Sequence, residues 1–382
     1  MNSAINSAIN GAMNSVSNIE VSEKNSPGEE VIHGGDLQAA SKKYGIKKHQ
    51  WIDLSTGLNP DSYPVNNIPP EVFSELPYLS NDLMYSAAKY YGHNSLMAVN
   101  GTQLAIQTLP HILPKFDMLM PKLGYQEHAL HWQKAGVNIE RYQATNQSCA
   151  VEEIDALLTK NNTRHLLIIN PNNPNGLTFK PDQILHWATQ LDKGCYVLVD
   201  EAFMDLDPKG SVLNAEMPDN IIVLRSFGKF FGLAGIRMGF VFAAKKILGQ
   251  LQQKLGLWAV NGPAQYLAIQ ALKDEKWQAQ TRIDIERSSI KTQKLFEPLF
   301  QSNKLTVFNQ THQGLFSSYW LNPEQAKTVY QYFAHRGILL RMISLDEKAG
   351  LLRIGLVDVN KQKVMDRIKE AINEFLAESK IH

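Results

Sequence analysis

Short apolar runs separated by amphipathic stretches dominate the chain from about residue 95 to residue 242. Runs of this length without polar alternation are typical of strands buried on both faces, and the stretches between them follow the helical repeat. The predicted strands are 116–120, 166–169, 196–199, 221–224 and 240–242, and residues 181–191 form one of the helices between them. This alternation predicts an α/β fold with a largely parallel, helix-covered sheet, whose site lies at the carboxyl ends of strands.

The pattern changes after residue 263. Two long helices, 263–273 and about 276–300, lead into predicted strands at 314–321, 338–341 and 351–354 and a last helix near 361–376. A chain of 382 residues exceeds the size at which a single core grows, so we expect two domains. We place a large domain at 61–262 and a smaller α+β domain at 263–382. Residues 31–60 are expected to join the smaller domain and its part of the substrate pocket.

The first thirty residues differ in kind, because Asn, Ser and Glu dominate them and no continuous apolar run occurs. A signal peptide is therefore disfavoured. We expect residues 1–30 to form a disordered or loosely docked arm, with a partner-binding helix as the alternative, since they offer little apolar surface to offset their ordering entropy.

Composition and charge are those of a soluble enzyme. The 38 Lys and Arg residues against 37 Asp and Glu leave a formal net charge of +1, which supports neither nucleic acid nor a membrane surface as partner. No apolar run reaches the roughly 20 residues of a membrane span. The chain has two cysteines, Cys149 and Cys195, which argues against a disulfide framework and favours a cytoplasmic setting. We expect no metal site.

Lys229 carries the strongest chemical signal. It lies in the segment RSFGKFFGLAGIRMGF, residues 225–240, directly after a predicted strand. Its aromatic and glycine neighbours predict a desolvated amine, whose neutral form is the nucleophile that condenses with an aldehyde. Ser226 and Arg237 add a hydroxyl and a cation that suit a phosphate dianion. The alternative is a buried turn whose lysine extends to solvent.

Other candidate residues also follow strands or open helices. The amides of Gly101, Thr102 and Gln103 would begin a helix, a natural phosphate site, although Asn-Gly-Thr is equally a routine turn. Asp200 ends a strand, where a carboxylate can keep a pyridine nitrogen protonated, or serve only as a turn residue. Asn173 lies in the loop NPNNPNG, residues 170–176, and can donate to a phenolate oxygen.

These motifs resemble the pyridoxal-phosphate fold-type I aminotransferase family over roughly residues 31–375. The resemblance implies an aspartate-aminotransferase-like fold, with a mainly parallel seven-stranded sheet in the large domain, and pyridoxal 5'-phosphate as cofactor. It implies that Lys229 bonds covalently to the cofactor. It also implies that Asp200 pairs with the ring nitrogen and that Asn173 donates a hydrogen bond to the ring oxygen. The remaining cofactor residues that it implies are Gly101, Thr102, Gln103, Ser226 and Arg237 at the phosphate, Tyr125 on the ring, and Tyr78, which would reach the phosphate of the neighbouring subunit in a homodimer with shared active sites.

The N-terminal segment resembles one group of enzymes within this family. His33, Gly34 and Gly35, followed by the segment STGLNP at 55–60 with Asn59, resemble the substrate-pocket motifs of threonine-phosphate decarboxylases of cobalamin biosynthesis. The glycines would let backbone amides approach an anion. By the same resemblance, Arg341 meets a substrate phosphate and Arg353 a substrate carboxylate.

Two positions depart from the family pattern. Phe203 stands where a tyrosine often hydrogen-bonds the ring oxygen, so Asn173 would carry more of that task. Gly228 replaces the hydroxyl residue that histidinol-phosphate aminotransferases have before the lysine, which counts against that subfamily.

The resemblance favours decarboxylation of L-threonine O-3-phosphate to (R)-1-aminopropan-2-ol phosphate. An aminotransferase acting on a phosphorylated amino acid such as histidinol phosphate is the alternative, because sequence motifs are weak evidence for which bond at the substrate Cα is broken. A non-catalytic ligand sensor on the same fold is the remote third interpretation, and the intact Lys229 argues against it.

Overall fold

The computed structural model describes residues 34–345 and 349–378. The predicted arm at 1–30 and the candidate His33 lie outside the described residues.

Strands and helices are numbered in chain order through the described residues. The strands are β1 Ile52–Asp53, β2 Leu96–Val99, β3 Asp117–Pro121, β4 Ile139–Tyr142, β5 Arg164–Ile169, β6 Val197–Asp200, β7 Ile221–Ser226, β8 Gly239–Phe242, β9 Val307–His312, β10 Phe316–Leu321, β11 Ile338–Leu339, β12 Arg341–Ser344 and β13 Gly350–Gly355. The helices are α1 Leu37–Tyr44, α2 Glu71–Ser74, α3 Asn81–Tyr91, α4 Thr102–Ile112, α5 Glu127–Lys134, α6 Gln147–Lys160, α7 Pro181–Gln190, α8 Lys245–Leu255, α9 Gly262–Lys273, α10 Glu275–Phe300, α11 Pro323–His335 and α12 Gln362–Ala377. Short 3-10 turns lie at Lys48–Gln50, Met204–Leu206, Pro208–Gly210, Val212–Asn214 and Ala234–Ile236.

The chain divides into two compact units. The larger is Asp61–Arg282, and the smaller combines the described residues up to Pro60 with those from Ile283 onward. The division differs from the boundary expected at residue 263, because α9 packs against α3 and so remains with the larger unit. The unit boundary instead falls inside the long helix α10.

The larger unit contains a seven-stranded sheet with strand order β2-β8-β7-β6-β5-β3-β4. Its strands run parallel except β8, which pairs antiparallel with both β2 and β7. The central strands β5 to β8 are buried throughout apart from half-buried Ser226 at the end of β7, which explains why the sequence shows continuous apolar runs there. The predicted α/β fold with a mainly parallel seven-stranded sheet is confirmed.

The smaller unit is α+β. Its four-stranded antiparallel sheet has the order β12-β13-β10-β9, and β1 pairs in parallel with β11. Helices α11 and α12 contribute Phe333 and Phe375 to an apolar core that also includes Phe296 of α10. The strand predicted at 338–341 is two strands, because β11 pairs with β1 whereas β12 pairs with β13.

Candidate active site

The carboxyl ends of β5, β6 and β7 meet at one edge of the large sheet, because these strands are parallel neighbours. A cavity opens there. The residues that line it are Gly101, Thr102, Tyr125, Ile169, Asn173, Asp200, Ala202, Phe203, Ser226, Gly228, Lys229, Ala234, Arg237 and Met238. Predicted site residues from five separate segments of the chain are thus brought together.

Lys229 lies three residues beyond the end of β7 and is half-buried. Its Nζ is 5.5 Å from the centre of the buried Phe203 ring, on the face where a cation is attracted by aromatic electrons. The preceding Gly228 is required by packing, since a Cβ at that position would lie 2.8 Å from Ala234 Cα. A bulkier residue before the lysine would therefore displace the backbone that shapes the cavity.

An anion site is formed where α4 begins. The N-cap of α4 is Gly101, at φ 70°, so no side chain covers the first amides of the helix. Arg237 lies close against it, because a Cβ at position 101 would sit 2.6 Å from Arg237 Nη2. Thr102 and Ser226 add hydroxyls to the same cavity. Helix amides, hydroxyls and a guanidinium together are the donors that bind a phosphate.

Asp200 is buried at the end of β6 and is held from two sides. Its Oδ2 lies 3.0 Å from His128 Nε2, and its Oδ1 accepts a hydrogen bond from the Ala202 amide at 3.1 Å. His128, on α5, is also buried, and sequence reasoning missed it because it is 72 residues from Asp200 along the chain. These two contacts fix the orientation of the Asp200 carboxylate where it lines the cavity.

Glu201, the neighbour of Asp200, does not line the cavity. It is fully buried and binds Arg225 Nη1 at 2.9 Å, the Ser211 hydroxyl at 2.5 Å and the Val212 amide at 2.8 Å. Arg225 also binds Asp205 at 2.7 Å. Burial raises the pKa of Glu201, against the opposing effect of Arg225. Glu201 is therefore a structural residue, as the divergence of adjacent side chains at a strand end predicts.

Asn173 lies in a loop that three other asparagines fix. Asn170 exchanges hydrogen bonds with the backbone of Phe179, Asn172 donates to Leu123 O at 2.7 Å, and Asn175 donates to Ala144 O. Asn173 itself lines the cavity. The peptide bonds before Pro171 and Pro174 are cis.

Two predicted cofactor residues do not line this cavity. Gln103 turns its side chain to Glu127 and accepts a hydrogen bond from the Tyr125 hydroxyl at 3.1 Å. Tyr78 is 64% exposed and packs edge-on against Trp258, with 5.9 Å between ring centres.

The smaller unit holds the predicted substrate residues. Arg353 is buried, and one of its Nη atoms donates to Ser55 O. Arg341 is its direct partner across β12 and β13. Burial lowers the pKa of Arg353 to about 9, with a further lowering by the charge of Arg341 and a partial compensation by Asp53. Two neighbouring guanidinium groups with one nearby carboxylate form a site that an anion would stabilise.

The glycine loop lies against the same segment. The Gly35 amide donates to Ser55 Oγ at 2.7 Å, and a Cβ on Gly34 would lie 2.2 Å from Ser55 O. Glycine is therefore required at position 34 by the close approach of two backbones. Asn59 is buried in this unit.

We expect that Arg341→Met raises the unfolding temperature of the cofactor-free protein by about 1–3 °C, because it removes one of two like charges. Arg336→Met is the matched control, since Arg336 pairs with Glu374 at 2.9 Å and covers the Tyr332 ring. That control is expected to lower the unfolding temperature. Equal losses in both variants, measured by calorimetry without anions, would show that Arg341 is not electrostatically strained.

Comparison with known proteins identifies the family. Residues 70–372 match aminotransferase class I and II, and the chain belongs to that family. It is 36% identical to a protein named threonine-phosphate decarboxylase from Pseudomonas aeruginosa, over 85% of this chain and 92% of the relative. It is 24% identical to a histidinol-phosphate aminotransferase from Granulibacter bethesdensis, over 78% of this chain and 81% of the relative.

Solved structures agree in fold. The crystal structure of L-threonine-O-3-phosphate decarboxylase from Porphyromonas gingivalis superposes with a TM-score of 0.69 at 18% identity, over 85% of this chain and 98% of the other. The family resemblance drawn from the motifs is confirmed.

No helix in the described part of the chain is both long and apolar enough to cross a membrane. Within residues 34–345 and 349–378, no group of three or more His, Cys, Asp or Glu side chains is arranged to hold a metal ion.

Proposed function

We propose that this protein is a pyridoxal-phosphate enzyme that decarboxylates L-threonine O-3-phosphate to (R)-1-aminopropan-2-ol phosphate in cobalamin biosynthesis. The observation that carries the proposal is the cavity where Lys229, Asp200 and Asn173 converge with a phosphate-type anion site. The 36% identity to a named threonine-phosphate decarboxylase supports the choice of reaction.

The cavity residues fit the cofactor by chemical type. Thr102, Ser226, Arg237 and the first amides of α4 would hold its phosphate, and Tyr125 would lie against its ring. Asp200 would pair the ring nitrogen, Asn173 the ring oxygen, and Lys229 would bond to the aldehyde carbon. When bound, the cofactor supplies an electron sink for the bond that breaks at the substrate Cα.

Asp200 and Lys229 would then have separate roles in the reaction. Asp200, whose carboxylate is held in place by His128 and the Ala202 amide, would pair with the protonated ring nitrogen. Lys229, when it is not bonded to the cofactor, would be a primary amine whose Nζ can carry a proton. As the Cα–carboxylate bond breaks, carbon dioxide leaves and Cα takes up one proton, so atoms and charge balance.

Substrate recognition is assigned to the smaller unit. Arg341 and Arg353 would bind the phosphate and the carboxylate, with Gly34, Gly35, Asn59 and the undescribed His33 adding to the site. The lowered pKa of Arg353 supports this assignment, because a bound anion would stabilise the charged form of its guanidinium group.

Transamination of a phosphorylated amino acid is the second candidate, supported by the 24% identity to a histidinol-phosphate aminotransferase. Gly228 favours the decarboxylase, since the close approach of Ala234 leaves little room for a hydroxyl residue before Lys229.

A product assay separates the two. The holoenzyme is expected to release one carbon dioxide per threonine phosphate consumed without any oxo-acid acceptor. Unphosphorylated threonine should react very poorly, because it lacks the phosphate that the substrate site would bind. Conversion of histidinol phosphate to an oxo product, without decarboxylation of threonine phosphate, would establish the aminotransferase instead.

Arg341→Ala is expected to reduce the ratio of kcat/KM for threonine phosphate over threonine more than any other single substitution in the smaller unit. A loss of about 10–100-fold corresponds to one charge-assisted contact. Lys304→Ala is the control, since Lys304 is a cation of the same unit that binds the backbone at Phe375. An unchanged ratio in Arg341→Ala would remove Arg341 from the substrate site.

We further propose a cytoplasmic homodimer in which Tyr78 completes the site of the opposite subunit. Tyr78 and its neighbour Trp258 are large exposed aromatic residues, and Trp258 has a strained φ of 59°. A second copy of the chain would cover them.

Subunit mixing tests this arrangement. Inactive Lys229→Ala chains exchanged with inactive Tyr78→Ala chains are expected to regain about one quarter of wild-type activity, because half of the dimers are mixed and each mixed dimer has one intact site. No recovery after verified exchange would place Tyr78 in the site of its own subunit.

A further inference from the structure

A chain of hydrogen bonds runs from the cavity into the interior through Tyr125. The Tyr125 hydroxyl donates to Gln103 Oε1 at 3.1 Å, and Gln103 Nε2 donates to Glu127 Oε2. His131 Nε2 lies 3.2 Å from the same carboxylate oxygen. We call Tyr125, Gln103, Glu127 and His131 the tyrosine relay.

Glu127 is the unusual member of the tyrosine relay. It is only 7% exposed, and burying a carboxylate is costly unless other groups bind it. His131, one helical turn further along α5, lies beside it with 15% of its side chain exposed. None of the cofactor contacts assigned above uses either residue.

The carboxylate fixes which way the Gln103 amide faces. Because Glu127 accepts a hydrogen bond, the NH2 group of Gln103 faces Glu127, and the oxygen of the same amide therefore faces Tyr125. The Tyr125 hydroxyl then has a fixed acceptor, and burial together with Glu127 raises the pKa of Tyr125 to about 12, which keeps this hydroxyl a donor.

The same helix also contacts the Tyr125 ring directly. His128, which binds Asp200, packs edge-on against that ring, with 6.2 Å between ring centres and 84° between planes. Helix α5 therefore contacts Tyr125 directly through His128 and is linked to it indirectly through Glu127 and Gln103.

We propose that Glu127 and His131 are positioning residues, which act through Gln103 to hold the Tyr125 ring in its orientation toward the cofactor site. The inference rests on the proposed binding of pyridoxal phosphate, but the relay itself can be detected without cofactor.

The test combines Glu127→Ala, Glu127→Gln, Tyr125→Phe and the double variant Tyr125→Phe/Glu127→Ala. The control is Asp155→Ala, which removes the carboxylate that accepts from Trp187 Nε1 at 2.7 Å elsewhere in the same unit. Proteins labelled with 3-fluorotyrosine give a Tyr125 resonance, assigned by its loss in Tyr125→Phe. Pyridoxal phosphate titrations and the visible circular dichroism of the bound cofactor are measured in parallel.

Glu127→Ala is expected to shift the Tyr125 resonance in the cofactor-free protein, to raise the cofactor dissociation constant about tenfold and to reduce the visible circular dichroism. Glu127→Gln, which can still accept from Gln103, should stay within about threefold of the wild type. In the Tyr125→Phe background the Glu127→Ala effect should fall below about twofold, because coupled residues are not additive.

An unshifted Tyr125 resonance, or independent effects in the double variant, would overturn the proposal. So would a loss of thermal stability with normal cofactor affinity, the result expected of Asp155→Ala. Failure of the wild type to bind pyridoxal phosphate would instead refute the proposed function, and the resonance would still report whether the relay exists.

Discussion

Lys229→Ala is expected to lower kcat by several orders of magnitude while the protein keeps its fold. The reason is that Lys229 is the only lysine lining the described cavity, so no neighbouring amine can replace it as nucleophile or proton carrier. Steady-state kinetics with threonine phosphate, together with circular dichroism and thermal unfolding, would measure both parts of this expectation.

Lys245→Ala provides the control for the loss of a lysine. Lys245 begins α8, in the same unit but outside the cavity, and its replacement should leave kcat within about twofold. Substantial turnover by Lys229→Ala after full cofactor loading would mean that the chemistry uses another group.

Asp200→Asn is expected to reduce turnover, whereas Glu201→Gln is expected to reduce stability, although the two residues are adjacent. Asp200→Asn should reduce kcat by about 10²–10³-fold with little change in unfolding temperature, because it removes a charge needed mainly in the transition state. KM should change less than kcat.

Glu201→Gln should instead cost about 1–3 kcal/mol of stability, because Arg225 would keep only Asp205 as its anionic partner. Its kcat per folded molecule should remain within about threefold of wild type. Denaturant unfolding and kinetics on the same samples distinguish the variants, and equal modest losses in both would contradict the separate roles of these carboxylates.

The central strands and the residues at their ends were predictable from sequence for one physical reason. Strands buried on both faces require continuous apolar runs, so the polar residue that ends each run, such as Asp200, is conspicuous. Two of the edge strands lack this signal. Ile139–Tyr142 and Val307–His312 are only partly buried and carry polar side chains, and neither was predicted as a strand.

Contacts made by tertiary packing were not predictable. His128 meets Asp200 only because α5 packs beside the end of β6, and no spacing in the sequence records that. The pairing of Arg341 with Arg353 likewise depends on the antiparallel register of β12 and β13. The family resemblance predicted roles for these arginines, whereas the lowered pKa of Arg353, which follows from its burial beside Arg341, could be derived only from the structure.

The most direct test of the account is to locate the cofactor bond. The purified holoenzyme is reduced with borohydride and digested, and the peptide that carries the reduced cofactor is sequenced by mass spectrometry. We expect modification of Lys229 at a stoichiometry of about one per chain, and none in Lys229→Ala. Reduced cofactor on a different lysine, or none after reconstitution with pyridoxal phosphate, would contradict it.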